Sequence, residues 1–383
     1  MRLPTDKQAV NTVYNRTTNK DASIIEQFFH LIRCGIGKQS ALPCTPNAKQ
    51  WNELFEIAKK QTLAGIAFAG IERLPQEQRP PKEILLQWYK LCMTIKSMNA
   101  ELDRKCAIVS NKFKSEGFEN CILKGQGIAR LYPDPTLRTP GDIDIWLGGG
   151  DGKAIGYVRR FFPNCEPTYH HVDFPITQDL EIEIHYRPSW AYSPLINKRL
   201  QAFFAKQAAQ QFSNSITTAN GDFPAPTLAF NRIYILLHIY RHLFQEGIGL
   251  RQMLDYYFVL DKGFSQEEKK EYTETLANLG LKNFAAATAY ILQQKFGLED
   301  EKLPVVPDKK RGEFLLKEII TAGNFGKYDP RYSIVSKKNE FAHFLNSMRR
   351  IARLALQYPS ETLWSPYFKI WHYFWRKRHA KRD

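Results

Sequence analysis

Three kinds of feature are rare in this sequence or absent from it, and each absence excludes a class of protein. The six cysteines form no CxxC pair, so the sequence suggests neither a disulfide framework nor a structural zinc site. No run approaches the roughly 20 apolar residues that cross a bilayer, and the N-terminus lacks the apolar core of a signal peptide. We therefore expect a cytoplasmic protein that has no transmembrane segment and whose cysteines are plain buried thiols.

The composition favours a folded protein with an anionic partner. Of the 383 residues 43% are apolar and 13% are aromatic, which is enough for a well-buried core and for two or three domains. Lysine and arginine total 54 against 39 acidic residues, which leaves a formal charge of +15. Such an excess favours a nucleotide, a nucleic acid or an acidic surface as partner, without identifying which.

The apolar spacing changes twice along the chain. After a polar segment, residues 1–22, which we expect to be mobile, apolar residues recur every three or four positions through residues 23–115. Short alternating or apolar runs follow in residues 116–225, and the helical spacing returns in residues 226–383. The sequence therefore predicts an α+β fold, with a small mixed sheet in an α/β core and helical regions on both sides of it in sequence.

Acidic side chains lie where two predicted strands need apolar ones. In DIDIWL, Asp142 and Asp144 share one face of the strand. In LEIEIHY, one face of a second strand carries Glu181, Glu183 and His185. Neighbouring carboxylates repel each other, and a divalent cation removes the repulsion. Oxygen ligands favour Mg²⁺ or Mn²⁺. We expect Glu183 to join the aspartates as a ligand and Glu181 to lie at the rim.

A glycine turn precedes the aspartates in the sequence. The apolar run CIL leads into Lys124, Gly125 and Gln126, and a short helical run follows. Glycine lets backbone N–H groups approach an anion, and a helix N-terminus adds partial positive charge. Lys124 and Arg138 would neutralise phosphate oxygens, although an ion pair with an acid is an equally good interpretation of Lys124.

These motifs carry a resemblance to a known family. LKGQGIARLYPDPTLRTPGDIDIWL, followed by IEIHYRP, resembles the bacterial "uncharacterised nucleotidyltransferase" family, a branch of the DNA-polymerase-β-like nucleotidyltransferase superfamily. The resemblance implies that Gly125 and Gln126 hold nucleotide phosphates, that Asp142 and Asp144 bind the metal, and that Glu183 is the third acid. This chain departs from the pattern at two places. The wider superfamily has Gly-Ser or Gly-Gly at the turn, where this chain has Gly125 and Gln126, and this branch more often has aspartate as the third acid, where this chain has Glu183.

The resemblance also implies a reaction. A nucleoside triphosphate would be the substrate, with Mg²⁺ or Mn²⁺ as cofactor, and a nucleoside monophosphate would pass to an acceptor with release of pyrophosphate. Glu183 would complete a second metal position or accept the acceptor's proton. The acceptor, whether a sugar, another small molecule, a protein or an RNA, stays open, as do the base of the nucleotide and the oligomeric state.

Two other functions remain alternatives. The first is a non-catalytic protein that binds a nucleotide or nucleic acid and regulates a partner, and the second is a metal-dependent phosphohydrolase. Loss of an acid would favour the regulatory protein, and all three acids are present. The basic, aromatic C-terminal tail could bind nucleic acid, but we favour a packed helix with a solvated basic end.

Two side-chain arrangements follow from spacing alone. Adjacent residues of a strand point to opposite faces, so we expect that His170 and His171 do not both reach one site directly. Arg251 and Asp255 are four residues apart on a predicted helix, and we expect them to pair with each other. The preceding GIGL turn and His242 leave open the alternative that Arg251 reaches a nucleotide.

Overall fold

The N-terminal part of the protein is helical. The computed structural model describes residues 19–176, 180–331 and 340–379. Among the residues described before the first strand there are four α-helices: α1 (Asn19–Gly35), α2 (Ala48–Lys60), α3 (Ala64–Arg73) and α4 (Lys82–Ser115). Helix α1 begins inside the segment expected to be mobile, since residues 19–22 contain neither proline nor glycine to prevent a helix. Residues 1–18 of that segment lie outside the described residues.

A four-stranded mixed sheet follows, with the strand order β1-β2-β4-β3. Strands β2 and β4 are parallel, while β1 pairs with β2 and β3 pairs with β4 in antiparallel fashion. A short helix lies between β1 and β2, and a longer one between β2 and β3. The elements are β1 (Asn120–Leu123), α5 (Gly125–Ala129), β2 (Ile143–Leu147), α6 (Gly150–Phe161), β3 (His171–Asp173) and β4 (Ile182–His185).

The C-terminal part begins with a helix and a hairpin and is helical after that. The α+β class and the small mixed sheet predicted from the sequence are confirmed, while the division into sequence regions stays a prediction. The elements are α7 (Pro194–Ser213), β5 (Ser215–Thr218), β6 (Gly221–Pro224), α8 (Leu228–Gln245), α9 (Leu250–Asp261), α10 (Gln266–Asn278), α11 (Lys282–Phe296), α12 (Lys309–Ala322), α13 (Glu340–Leu354) and α14 (Pro359–His379).

The two faces of the sheet have different chemistry. Alternate isoleucines of β2 and β4 point into a core that α4 and α6 close, and these residues are fully buried (Ile143, Ile145, Ile182 and Ile184). The opposite face carries acids and His185, and there Trp146 stacks on Phe230 of α8 at 5.9 Å. Helix α8 thus covers the polar face, and a shared apolar core joins helices from both ends of the chain, as in the contact of Phe29 with Phe296.

Helix α14 packs by only one of its faces. Phe368 stacks on Trp190 with ring centres 4.3 Å apart, and buried Glu361 lies 2.8 Å from Arg241. Other large apolar side chains of this helix are exposed, namely Leu363, Trp364, Tyr367, Ile370, Trp371, Tyr373 and Phe374. The expected packed helix is therefore present, but the solvated part extends well beyond its basic end. Within the described residues, no helix combines the length and apolar character that crossing a membrane requires.

The expectation for the cysteines is correct in part. All six are free thiols, and Cys34, Cys92, Cys106 and Cys121 are buried. Cys44 is exposed and Cys165 is half-buried, because these two lie in loops rather than on core-facing helix or strand positions.

A buried ion pair fastens the loop before β2 to helix α9. Arg138 donates from Nε and Nη2 to the two carboxylate oxygens of Asp255, at 2.8 and 2.9 Å. The hydroxyl of Tyr132 donates to the same carboxylate at 2.6 Å. The expected pair of Arg251 with Asp255 is wrong, because the fork of Arg138 takes both oxygens and Arg251 donates to the Thr139 carbonyl instead.

Removal of the Asp255 charge should destabilise the fold. We expect Asp255→Asn to lower the free energy of unfolding by about 3–5 kcal/mol, because it leaves the Arg138 guanidinium buried without a counter-charge. Urea unfolding followed by circular dichroism measures the change. The control is Glu56→Gln, which breaks an exposed pair with Lys59 and should leave the midpoint nearly unchanged. Equal midpoints for both variants would contradict this role of Asp255.

Candidate active site

Two acids face each other on neighbouring parallel strands. The strand register pairs Asp144 of β2 with Glu183 of β4, so their side chains leave the sheet on the same face. The Asp144 side chain is 2% exposed and that of Glu183 is 20% exposed. Carboxylates are rarely buried unless they are paired or bound to metal, so this placement requires positive charge nearby.

Two side chains supply positive charge to these acids. Lys124 Nζ lies 2.8 Å from Asp144 Oδ2, and His185 Nε2 lies 2.8 Å from Asp144 Oδ1 and 3.2 Å from Glu183 Oε2. Of the two interpretations left open for Lys124, the structure contains the ion pair with an acid. The site thus has two acids and two basic groups within hydrogen-bond distance, in a place that is largely closed to water.

The titration of these groups reflects their mutual contacts. Burial alone would raise the pKa of Asp144, but the charge of Lys124 and the hydrogen bond from His185 hold it below its ordinary value. Burial would also raise the pKa of Glu183, but the hydrogen bond from His185 and the charge of His171 lower it to about 2. The hydrogen bonds to Asp144 and Glu183 overcome the effect of burial on His185 and raise its pKa to about 9. His185 is therefore a cation at neutral pH.

The glycine turn lies directly beside the aspartates. Lys124 has a positive φ of 49°, a conformation that costs a non-glycine residue about 1–3 kcal/mol, and it directs its ammonium group at Asp144. A Cβ on Gly125 would lie 3.7 Å from the Asp142 carbonyl oxygen, so the turn and the loop before β2 are neighbours. A Cβ on Gly127 would lie 2.4 Å from the Ile122 carbonyl oxygen, so this second glycine is needed for packing.

The remaining residues of the predicted site, Asp142, Gln126 and Arg138, lie in three different environments. Asp142 precedes β2, is exposed and lines the cavity, but it stands apart from the close group of Asp144, Glu183 and His185. Gln126 is buried, and its side-chain amide donates to Asp103 of α4 rather than pointing into the cavity. Arg138 lines the cavity, but its guanidinium is engaged by Asp255.

Helices α8 and α9 close a cavity over the acids. Lys124, Asp142 and Glu183 line it from the core, and the helices contribute Arg251 together with Tyr234, His238 and Arg241, for which the sequence predicted no role. Tyr234 and His238 are four residues apart and share one face of α8. These two polar residues interrupt the apolar run LAFNRIYILLHIYRHLF, which was the only sign of them in the sequence. Such an interruption is equally consistent with a functional site and with a buried hydrogen bond.

Two cavity side chains retain unused hydrogen-bonding capacity. The Tyr234 hydroxyl is buried and finds no hydrogen-bond partner among the residues that the structure describes. The same holds for Arg251 Nε, while Nη1 of that residue donates to the Thr139 carbonyl at 2.9 Å. Burial lowers the pKa of Arg251, helped by the nearby charge of Arg138. Buried donors without partners are costly, which makes both groups candidates for binding a ligand.

The expectation that His170 and His171 cannot reach one site is wrong. His170 Nε2 lies 3.1 Å from His171 Nδ1, and both rings line the same cavity as His185. Strand β3 begins at His171, so His170 belongs to the preceding turn and the alternation of side chains does not apply to it. Burial lowers the pKa of both rings, and the charge of neighbouring histidines adds to the effect at His170.

The acids fit a divalent cation. Asp144, Glu183 and His185 each offer a ligand atom, and these atoms lie within 4.8 Å of one another. Carboxylate oxygens suit Mg²⁺ or Mn²⁺, which proteins commonly bind through one or two carboxylates together with substrate phosphates. Lys124 and protonated His185 balance the charge of the acids, so an ion would have to displace or outweigh them.

This small mixed sheet, with acids on its cavity face beside a glycine turn, is of the nucleotidyltransferase type. The chain matches the family described as "Uncharacterised nucleotidyltransferase" over residues 47–297, and it belongs to that family. The match includes the glycine turn, the acids and helices α8 and α9, and the family resemblance seen in the sequence is confirmed.

The solved structures that match this chain include a protein from Paracoccidioides brasiliensis. It is an antigenic nucleotidyltransferase-like protein, with 12% sequence identity, coverage of 57% of this chain and 96% of that chain, and a TM-score of 0.30. No curated protein matches the chain significantly.

Loss of the Lys124 charge should make stability depend on a divalent cation. In metal-free buffer we expect Lys124→Met to lower the free energy of unfolding by about 3–5 kcal/mol, because buried Asp144 loses its partner. Mn²⁺ at about 100 times its Kd should return about 2.7 kcal/mol. The variant should gain more than the wild type at equal Mn²⁺, since the ion no longer competes with the ammonium group.

Thermal unfolding with and without Mn²⁺ measures this effect. Lys105→Met is the control, because Lys105 pairs at 3.5 Å with the exposed Glu101 on α4. A Lys124→Met protein that is destabilised but insensitive to Mn²⁺ would argue against a cation at these acids.

Proposed function

We propose that the protein is a metal-dependent nucleotidyltransferase that moves a nucleoside monophosphate from a nucleoside triphosphate to an acceptor and releases pyrophosphate. The observation that carries the proposal is the opposed pair Asp144 and Glu183 on adjacent strands. Glu183 lines a cavity that basic groups also line, and buried Asp144 lies 2.8 Å from Lys124 of the same cavity wall. Family membership supports the same class of reaction. The acceptor stays open among a sugar, another small molecule, a protein and an RNA.

Asp142, Asp144 and Glu183 would hold Mg²⁺ or Mn²⁺. When bound, the ion withdraws charge from phosphate oxygens and stabilises the departing pyrophosphate. Asp142 lines the cavity and is exposed, so it can engage an ion that arrives with the nucleotide. Asp144 is buried and fixed by Lys124 and His185, so its orientation is set before substrate binds.

The triphosphate would lie against the basic side of the cavity. Lys124 and the turn at Gly125 and Gln126 face the aspartates, and the side-chain bond from Gln126 to Asp103 leaves only its backbone for a phosphate. Arg251 keeps unpartnered donor capacity, whereas Asp255 engages Arg138. We therefore assign the phosphate-facing guanidinium to Arg251 and a positioning role to Arg138. The Tyr234 hydroxyl is a further donor toward bound phosphate.

The bond changes are those of nucleotidyl transfer. A nucleophilic atom of the acceptor forms a bond to the α-phosphorus, and the bond from that phosphorus to the bridging oxygen of the β-phosphate breaks. The acceptor's proton has to leave, and Glu183, an ionised carboxylate in the cavity wall, is one group that can accept it, although its pKa of about 2 makes it a weak base. Completion of a second metal position is the other role open to Glu183. The predicted cytoplasmic location and the bacterial branch of the family stay predictions.

The decisive test is transfer of label from each α-³²P-labelled nucleoside triphosphate in the presence of Mg²⁺ and a cell extract. We expect labelled acceptor and pyrophosphate with the wild-type protein, and at least a 100-fold loss with Asp142→Asn, equivalent to about 2.7 kcal/mol or more of transition-state stabilisation. Asp142 is exposed, so this variant should fold normally.

The matched control is Glu181→Gln, because Glu181 is also exposed and precedes strand β4. Equal activity of Asp142→Asn and wild type would remove the metal role of that aspartate. Free phosphate in place of labelled acceptor would identify a phosphohydrolase. Nucleotide binding without any turnover would favour the non-catalytic regulatory protein.

Replacement of Arg251 should weaken nucleotide binding without unfolding the protein. We expect Arg251→Lys to raise the KM for the nucleoside triphosphate about 10- to 100-fold, because hydrogen bonds between charged groups contribute about 1.5–3 kcal/mol. Steady-state kinetics measure KM, and circular dichroism checks the fold. Arg130→Lys, at an exposed position, is the control. An unchanged KM for Arg251→Lys would exclude the assignment.

A further inference from the structure

We propose that His170, His171, His185 and Glu183 form a binding site for a transition-metal ion such as Zn²⁺. The three imidazoles each present a ring nitrogen, and these atoms lie within 4.8 Å of one another. His185, which is protonated while no ion is bound, would release a proton when the metal binds. The proposal goes beyond the nucleotidyl transfer proposed above, because two of its ligands, His170 and His171, have no part in that reaction. It also differs in the kind of ion, since imidazole nitrogen is a softer ligand than carboxylate oxygen.

The spacing of the ligand atoms is that of a metal centre. His170 Nε2 lies 3.1 Å from His171 Nδ1, which lies 3.3 Å from Glu183 Oε2, which in turn lies 3.2 Å from His185 Nε2. Four ligands at about 2.0–2.1 Å from a tetrahedral ion are roughly 3.3–3.4 Å apart. These three separations lie close to that edge length, and the ligand nitrogens of the three histidines lie within 4.8 Å of one another. The three imidazoles can therefore converge on one ion, with Glu183 in reach of His171 and His185.

The outer contacts orient two of the rings for this role. The hydroxyl Oγ1 of Thr168 lies 3.3 Å from His170 Nδ1 and directs Nε2 of that ring toward His171. Asp173 Oδ1 lies 3.7 Å from His171 Nε2, on the side of the ring away from Glu183. In metal sites, the second nitrogen of a ligating histidine faces a hydroxyl, carbonyl or carboxylate group of this kind, which fixes the ring.

The site adjoins the nucleotide site without replacing it. A carboxylate has two oxygens, so Glu183 can contribute to both positions, while Asp142 belongs only to the first. His170 and His171 also line a second cavity of about 330 Å³, which is bordered by Trp190, Phe368 and Lys369. The histidine cluster is therefore accessible from two cavities, one on the side of the aspartates and one beneath helix α14.

A hydrogen-bond chain is the alternative explanation of the same distances. One proton on His171 Nδ1, shared between His170 Nε2 and Glu183, and one from His185 Nε2 to Glu183 would satisfy the contacts without a metal. The two explanations differ in a direct way, because only a metal centre binds Zn²⁺ tightly and loses that affinity when one histidine is removed.

The test uses tag-free, full-length protein stripped with a chelator and then titrated with Zn²⁺ against a chromophoric competitor. We expect one tight equivalent per chain, and at least a 100-fold higher Kd in His170→Ala and in His171→Ala. Co²⁺ should give visible absorption bands in the wild type that these variants lose. His242→Ala is the control, because His242 lines the same cavity outside the cluster, and circular dichroism confirms folding.

Two results would overturn the proposal: no Zn²⁺ retained against the competitor, or a Kd that His170→Ala, His171→Ala and His242→Ala change equally. Asp142→Asn separates this proposal from the proposed function. We expect that variant to lose nucleotidyl transfer and to keep its Zn²⁺, so failure of one proposal does not imply failure of the other.

Discussion

The burial of one carboxylate constrains much of this structure. Asp144 lies inside a strand whose other face is core, and Lys124 and His185 contact its two oxygens. The turn that follows β1 adopts an unfavourable positive φ at Lys124, and in this conformation its ammonium group reaches Asp144. His185 comes from the parallel neighbour β4, two residues after Glu183. Segments associated with β1, β2 and β4 thus converge on the charge of Asp144.

Helices α8 and α9 bring further charged and polar groups to the cavity beside these acids. Helix α9 holds the loop before β2 through the Arg138–Asp255 pair, and Arg251 of the same helix donates to the adjacent Thr139 carbonyl. Helix α8 contributes Tyr234 and His238 to the cavity wall. An anionic ligand therefore meets basic and hydrogen-bonding groups from both the core and the C-terminal helices. The net charge of +15 has the same sign as this local arrangement.

The fold class and the faces of the strands could be predicted because hydrophobic alternation determines them. Ile143 and Ile145 had to enter the core, which placed Asp144 on the other face. The partners of the charged groups could not be predicted, since they depend on contacts distant in sequence. Asp255 had a plausible partner four residues away, yet it pairs with Arg138 across 117 positions. The prediction that His170 and His171 point to opposite faces failed because the sequence could not place the start of β3 to within one residue.

The proposed reaction requires that the acids on β2 and β4 bind a divalent cation together with a nucleotide. A crystal structure with Mn²⁺ and a nucleoside triphosphate analogue that cannot be cleaved at the α-phosphate tests it most directly, because anomalous scattering locates the ion. We expect an ion bonded to carboxylate oxygens of Asp142 and Asp144 and to the triphosphate. A nucleotide bound in the cavity with no ion at either aspartate would contradict it.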